Sequence, residues 1–307
     1  MEIEKSHRNE MDLSMKGVVP ILVTPFDIQG RVDKHSLESL IDFNIEAGVH
    51  GLGVAIGSEI FKLGDEEREM VTRTVVNRVA GRVPVVINTG ASGTQLAIQY
   101  SKLAEELGAD ALMIIPPHFM PTNSEEIAGY YNAIDAEVSI PIILQDIPQA
   151  PVPPALALRL AKECKNIAYI KVETMPCTTK VAEMAAAAGD VLTVFGGAGG
   201  SYFIEEMRRG AKGTMPFCSQ PDAFVKTWKL FQSGDEVAAR KVFDVSIMAV
   251  NRLGAQSDDI FYHLHKQLLV KLGVIETAFV RGPTTLPDAI SQREIDEVVE
   301  LTAAMSS

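Results

Sequence analysis

Residues 140–174, IPIILQDIPQAPVPPALALRLAKECKNIAYIKVET, decide the fold. IPIILQDIP (140–148) is a near-continuous apolar run ending at a proline. PALALRLAKEC (154–164) spaces its apolar residues as one face of a helix. IAYIKVET (167–174) returns to an apolar run rich in β-formers. A strand without polar alternation is buried on both faces, as in a parallel sheet. Strand, helix and strand in this order make a βαβ unit.

The same rhythm extends in both directions. Apolar strands are expected at 17–26, 49–56, 83–90 and 109–117 before this unit, and at 191–197 and 211–217 after it. Helical patterns follow at 34–48, 64–81, 94–108, 125–138, 179–189, 201–210 and 221–234. Eight βα units predict a (β/α)8 TIM barrel. The rival is a doubly wound open sheet, which seldom runs to eight regular units. From about residue 235 the rhythm stops, and DEVAARKVFDVSIMAVNRLG, DDIFYHLHKQLLVKLG and SQREIDEVVELTAAM read as helices only. The expected organisation is a barrel over 1–234, opened by a short polar segment, and a C-terminal helical extension over 235–307 in the same structural unit.

Bulk properties narrow the function. The chain has 307 residues, is 47% hydrophobic and carries a formal net charge of −12. An acidic chain without a basic block is a poor partner for nucleic acid or anionic lipid. Cys164, Cys177 and Cys218 are odd in number and show no CxxC spacing, so free thiols in a reducing compartment are expected. MEIEKSHRNEMDLSMKG at the start has no apolar core of a signal peptide. No run of about 18 apolar residues occurs, so no membrane span is expected, and the expected address is the cytoplasm.

In such barrels the chemistry stands at the C-terminal ends of the strands. Strand six carries Lys171 and Glu173, which share a face with Tyr169 because side chains two apart point the same way. Ile170 and Val172 then face the helices. The pair is either a buried ion pair that holds the barrel together, or a nucleophilic lysine with a carboxylate beside it. Burial disfavours the ammonium, and a neutral amine attacks carbonyls. Gly57 and Ser58 after strand two offer backbone N–H groups and a hydroxyl for a carboxylate, or form an ordinary turn. Gln145 and Asp146 end strand five, and one of them must face the lumen. FGGAGG (195–200), with Gly197 and Gly199, leaves room for a substrate chain or phosphate, but it is not a first-strand dinucleotide fingerprint. His118 after strand four is a ligand, a base or a loop residue. His7, His35, His50, His118, His263 and His265 are scattered, so no metal is expected, and no G-x-S-x-G elbow occurs.

VTPF on strand one, GSE after strand two, IP in strand five, IK in strand six and the tail KQLLVKLGVIETAFVRGP recur in this order over nearly the whole chain. The sequence thereby resembles the dihydrodipicolinate synthase and N-acetylneuraminate lyase family. The resemblance implies a Schiff base between Lys171 and the ketone of pyruvate or another 2-oxo acid. It also implies no metal or organic cofactor and a homo-oligomer, dimer or tetramer. Four departures accompany it. Ala55-Ile56-Gly57-Ser58-Glu59 stands where the family has GTTGE, and Gln145 replaces the tyrosine of YNxP. Ala150 replaces the arginine that dihydrodipicolinate makers carry, and His118 and Phe119 replace a tyrosine pair. SEIF, QDIP and KVET resemble a branch that dehydrates 2-keto-3-deoxy sugar acids. The expected activity is therefore a Schiff-base lyase on a 2-oxo acid, most concretely such a dehydratase, with Gln145 and Glu173 moving protons or positioning the substrate. The alternatives are a pyruvate-releasing aldolase, dihydrodipicolinate synthesis, and a non-catalytic 2-oxo acid binder.

Overall fold

The computed structural model of the protein describes residues 15–120 and 122–306. The polar N-terminal segment with His7 lies outside the described residues. Eight strands form one parallel sheet: β1 Gly17–Val18, β2 Leu52–Val54, β3 Val85–Asn88, β4 Ala111–Ile114, β5 Ile142–Asp146, β6 Ile167–Val172, β7 Thr193–Gly196 and β8 Gly213–Thr214. Each neighbours the next, β8 returns to β1, and Ile21 bridges both Gly53 and Phe217 to close the ring. The expected TIM barrel is the observed fold.

Strands one and eight are shorter than their apolar runs. Pro20 and Pro216 have no N–H to give to a ladder, so regular pairing ends at Val18 and Thr214. Helices α1 Lys34–Glu46, α2 Asp65–Val79, α3 Thr94–Glu106, α4 Ser124–Asp135, α5 Pro154–Glu163, α6 Cys177–Ala188, α7 Phe203–Met207 and α8 Pro221–Gln232 alternate with the strands. Asp33 caps α1 by accepting from the Ser36 N–H. Gly48 and Gly108, with φ of 83° and 92°, stop α1 and α3 in the left-handed conformation.

Side-chain alternation divides the core in two. Ile170, Val172, Leu144 and Val54 look outward into the layer between sheet and helices. Val19, Ile21, Met113, Ile143, Tyr169 and Phe195 fill the lumen. A β-bulge at the Ile142/Ile143 pairing with β6 turns both Ala168 and Tyr169 inward. Beyond the barrel lie α9 Glu236–Val242, a π-helical turn Phe243–Ile247, α10 Met248–Gly254, α11 Asp258–Lys271 and α12 Ala289–Ser306. The sequence pattern predicts one unbroken helix where the π turn stands. These helices pack around Val250, Leu253, Leu264 and Leu268 and lie across the mouth of the barrel.

Candidate active site

A cavity of about 520 Å³ opens at the C-terminal ends of the strands, with Lys171 and Glu173 in its wall. The alternation of β6 puts Lys171 in the lumen, directly across the ladder from Gln145 on one side and Phe195 on the other. Lys171 Nζ lies 3.0 Å from Glu173 Oε1. The Ala198 N–H also donates to Oε1 (3.1 Å), and Gln145 Nε2 donates to Oε2 (3.2 Å). Asn88 Nδ2 donates to Gln145 Oε1 (2.9 Å), which fixes the amide so that its NH2 faces the glutamate. Both oxygens of Glu173 are thus held, and its carboxylate sits where the lysine's proton would go.

Gly197 belongs to this arrangement in a different way than expected. A Cβ there would lie 2.2 Å from Glu173 Cγ, so only glycine lets the carboxylate lie against β7. Gly199 lines the cavity itself, at φ 65°. Gly57 lines it too, in the 3-10 turn Ile56–Ser58, whose first N–H groups have no acceptor within the turn.

Besides Gly197, three expected site residues do not line the cavity. Asp146 is fully buried on the helix side and accepts from the N–H groups of Val152 and Thr174, the Thr174 hydroxyl and Lys180 Nζ. Residues one apart on a strand face opposite ways, so Gln145 took the lumen. The Ser58 hydroxyl donates to the Leu22 carbonyl and accepts from the Ala55 N–H, and the Ser58 N–H donates to Ala55 O. The hydroxyl and the N–H of Ser58 are thus both engaged in bracing the turn. His118 is exposed in a separate groove with Pro116 and Met120.

The structure adds groups that sequence reasoning missed. Asn88 ends β3 and Gln145 is the last residue but one of β5, so a strand-end search alone could have found it. Ser201, Asn251, Asp258 and Tyr262 come to the cavity from the loop after β7 and from the C-terminal helices. Tyr262 donates to Ile56 O (3.2 Å). Next to the same turn, Glu59 has φ 55° and pairs with Lys266 of α11, and both side chains are fully buried. Burial lowers the Lys266 ammonium to about 8 against the pull of Glu59. Behind β7, the fully buried Glu206 carboxyl has no partner among the described residues, and it occupies the space a Cβ on Gly196 would need. Burial, then the charge of Glu173, raises it to about 8.

The model of the Dihydrodipicolinate synthetase family matches residues 14–302. The chain is 30% identical over 276 residues to an L-2-keto-3-deoxyarabonate dehydratase of Azospirillum brasilense, covering 87% of this chain and 88% of that one. It is 32% identical over 267 residues to a 4-hydroxy-tetrahydrodipicolinate synthase of Pseudomonas aeruginosa, covering 84% and 90%. Among solved structures, YagE of E. coli K12, a prophage protein of the dihydrodipicolinic acid synthase family in complex with pyruvate, superposes with TM-score 0.87 at 25% identity over 94% of this chain and 99% of that one. A dihydrodipicolinate synthase of Rhodopseudomonas palustris gives 0.86 at 26% identity over 93% and 97%.

Proposed function

The chain belongs to the dihydrodipicolinate synthetase family and is a lyase, and from that premise we propose that it dehydrates a 2-keto-3-deoxy sugar acid through a Schiff base on Lys171. The observation that carries the reading is the pair Lys171–Glu173 at 3.0 Å in the lumen, with Gln145 of β5 donating to the carboxylate.

Lys171 passes a proton to Glu173 and attacks the C2 carbonyl as a neutral amine. The carbinolamine loses water to give an iminium. That cation withdraws electrons from C3, so a C3 proton is acidic and Glu173, once again a carboxylate, removes it. The electron pair moves into an enamine, then expels the C4 hydroxyl, which leaves as water with the proton from Glu173. Water hydrolyses the remaining iminium, frees Lys171 and releases an unsaturated 2-oxo acid. The iminium is itself the electron sink, so the scheme uses no metal or organic cofactor.

Gln145 orients Glu173 by donating to its carboxylate; its amide cannot serve as an acid at neutral pH. The N–H groups at the start of the Ile56–Ser58 turn, Gly57 among them, receive the substrate carboxylate. Ala150 is buried and uncharged, which disfavours the synthase reaction and its second carboxylate substrate. The three free, buried cysteines fit a cytoplasmic enzyme, and the family resemblance fits a homo-oligomer, dimer or tetramer.

Incubation with 2-keto-3-deoxyarabonate tests the proposal. Loss of water with the carbon chain intact is the expected result. Release of pyruvate and an aldehyde makes the protein an aldolase instead.

A further inference from the structure

A second set of polar groups reaches the cavity from the C-terminal helices. Asn251 of α10 leans onto the loop after β7, where its Nδ2 donates to Gly199 O (2.9 Å) and to Ser201 Oγ (3.1 Å). With its amide protons committed, the Oδ1 acceptor is its free end, and no described residue donates to it. Ser201 Oγ accepts from Asn251, so its own proton is available to a ligand. Asp258, first residue of α11, lines the same cavity.

A helical irregularity sets this placement. The π turn Phe243–Ile247 comes directly before α10 and adds a residue to the helical register, rotating α10 by about 100°. Met248 N–H closes it on Phe243 O, and Gln220 Nε2 donates to the Ser246 carbonyl within it. An unbroken α-helix would present a neighbour of Asn251 at that point. Turns of this kind concentrate at functional sites.

The charge balance of the wall limits what it can hold. Among the described lining residues Lys171 is the only cation, and Glu173 already faces it. Asp258 adds a negative charge with no ion pair across the cavity. The distal wall therefore offers the Asn251 and Asp258 oxygens as acceptors and the Ser201 and Ser257 hydroxyls as donors, and no positive group.

We infer that Asn251, with Ser201 and Asp258, forms a distal subsite that selects a neutral, hydroxyl-bearing tail on the 2-oxo acid and excludes a tail ending in phosphate or a second carboxylate. The inference rests on the reading of Lys171 as the Schiff-base residue. Tail hydroxyls donate to Asn251 Oδ1 and Asp258 and accept from Ser201. A ligand without them covers the buried Asn251 amide and leaves its oxygen unpaired, which is where polar sites gain selectivity.

The test uses the full chain and borohydride trapping at rising concentrations of pyruvate, of 2-keto-3-deoxyarabonate, and of the same acid with a terminal phosphate. The half-trapping concentration of each is read by mass. The wild type should prefer the hydroxylated acid to pyruvate and trap the phosphorylated one worst. Asn251→Leu should cut the preference for the hydroxylated acid over pyruvate about tenfold, and Ser201→Ala, which removes one hydroxyl and threatens the fold least, about fivefold. Asp258→Asn should narrow the gap to the phosphorylated acid. An unchanged preference in both Asn251→Leu and Ser201→Ala overturns the subsite. So does an equal weakening of all ligands, which marks a structural role alone. A wild type that traps neither pyruvate nor the hydroxylated acid overturns the Schiff-base reading first and takes the subsite with it.

Discussion

Glu173→Gln separates a proton-transfer role from a positional one. The amide has nearly the size of the carboxylate, and its oxygen can still accept from the Ala198 N–H, now 3.1 Å from Glu173 Oε1. The loop after β7 therefore stays in place. The substitution removes the base 3.0 Å from Lys171 Nζ and the acid needed when the C4 hydroxyl departs. Positioned acid–base groups contribute about 10²–10⁴ in rate, or ~2.7–5.5 kcal/mol of barrier. The Gln145 NH2 that donates to Oε2 at 3.2 Å would also face an amide, which removes a charge-assisted bond. The assay is kcat for water loss at saturating 2-keto-3-deoxyarabonate, beside the yield of borohydride-trapped adduct. The expected outcome is a fall in kcat of at least about 10²-fold, with a trapped adduct still forming on long incubation. A variant that keeps kcat within about threefold of the wild type refutes the acid–base role.

Three further predictions concern the frame around the site. Glu206 binds its proton up to about 8 in the folded chain against 4.5 for an ordinary glutamate. The folded state thus holds more protons than the unfolded one between those values, and stability falls as pH rises through that window. Glu206→Gln should remove this fall, gaining at most ~5 kcal/mol near pH 8 at about 1.4 kcal/mol per unit; denaturant melts at pH 5 and pH 8 read it, and equal gains at both contradict it. Lys266→Met leaves Glu59 buried with Lys62 as its remaining partner, 3.0 Å away, and should cost about 3–5 kcal/mol in the same melts. Asp146→Ala strips the acceptor shared by Val152, Thr174 and Lys180 and should cost about 3 kcal/mol; a loss below ~1 kcal/mol shows that these bonds do not hold the β5–β6 edge.

The barrel was legible in the sequence because its strands are apolar on both faces and most of its helices, α1, α3 and α6 among them, end at a glycine. Period-two alternation likewise fixed that Lys171, Glu173 and Tyr169 share the lumen. The phase at strand ends was beyond it. Gln145 and Asp146 are neighbours, and only the register with β6 decides that Gln145 faces Lys171. Ser58 looked available because small polar turns often bind anions, yet its hydroxyl is consumed by Leu22 and Ala55 across the β1–β2 connection. Asn251 and Asp258 were out of reach altogether. Their approach depends on a π turn and on the docking of helices far along the chain, and neither leaves a local pattern. Asn88 was within reach by the same strand-end logic that found Gln145.

Covalent chemistry at the Lys171 side chain can be read directly as a mass. The protein is incubated with pyruvate, reduced with borohydride, digested and mapped. A reduced pyruvate adduct is expected on the peptide containing Lys171, and it should disappear in Lys171→Ala. An adduct that persists in that variant, or one found on Lys62, Lys180 or Lys266 in place of Lys171, contradicts a Schiff base at Lys171.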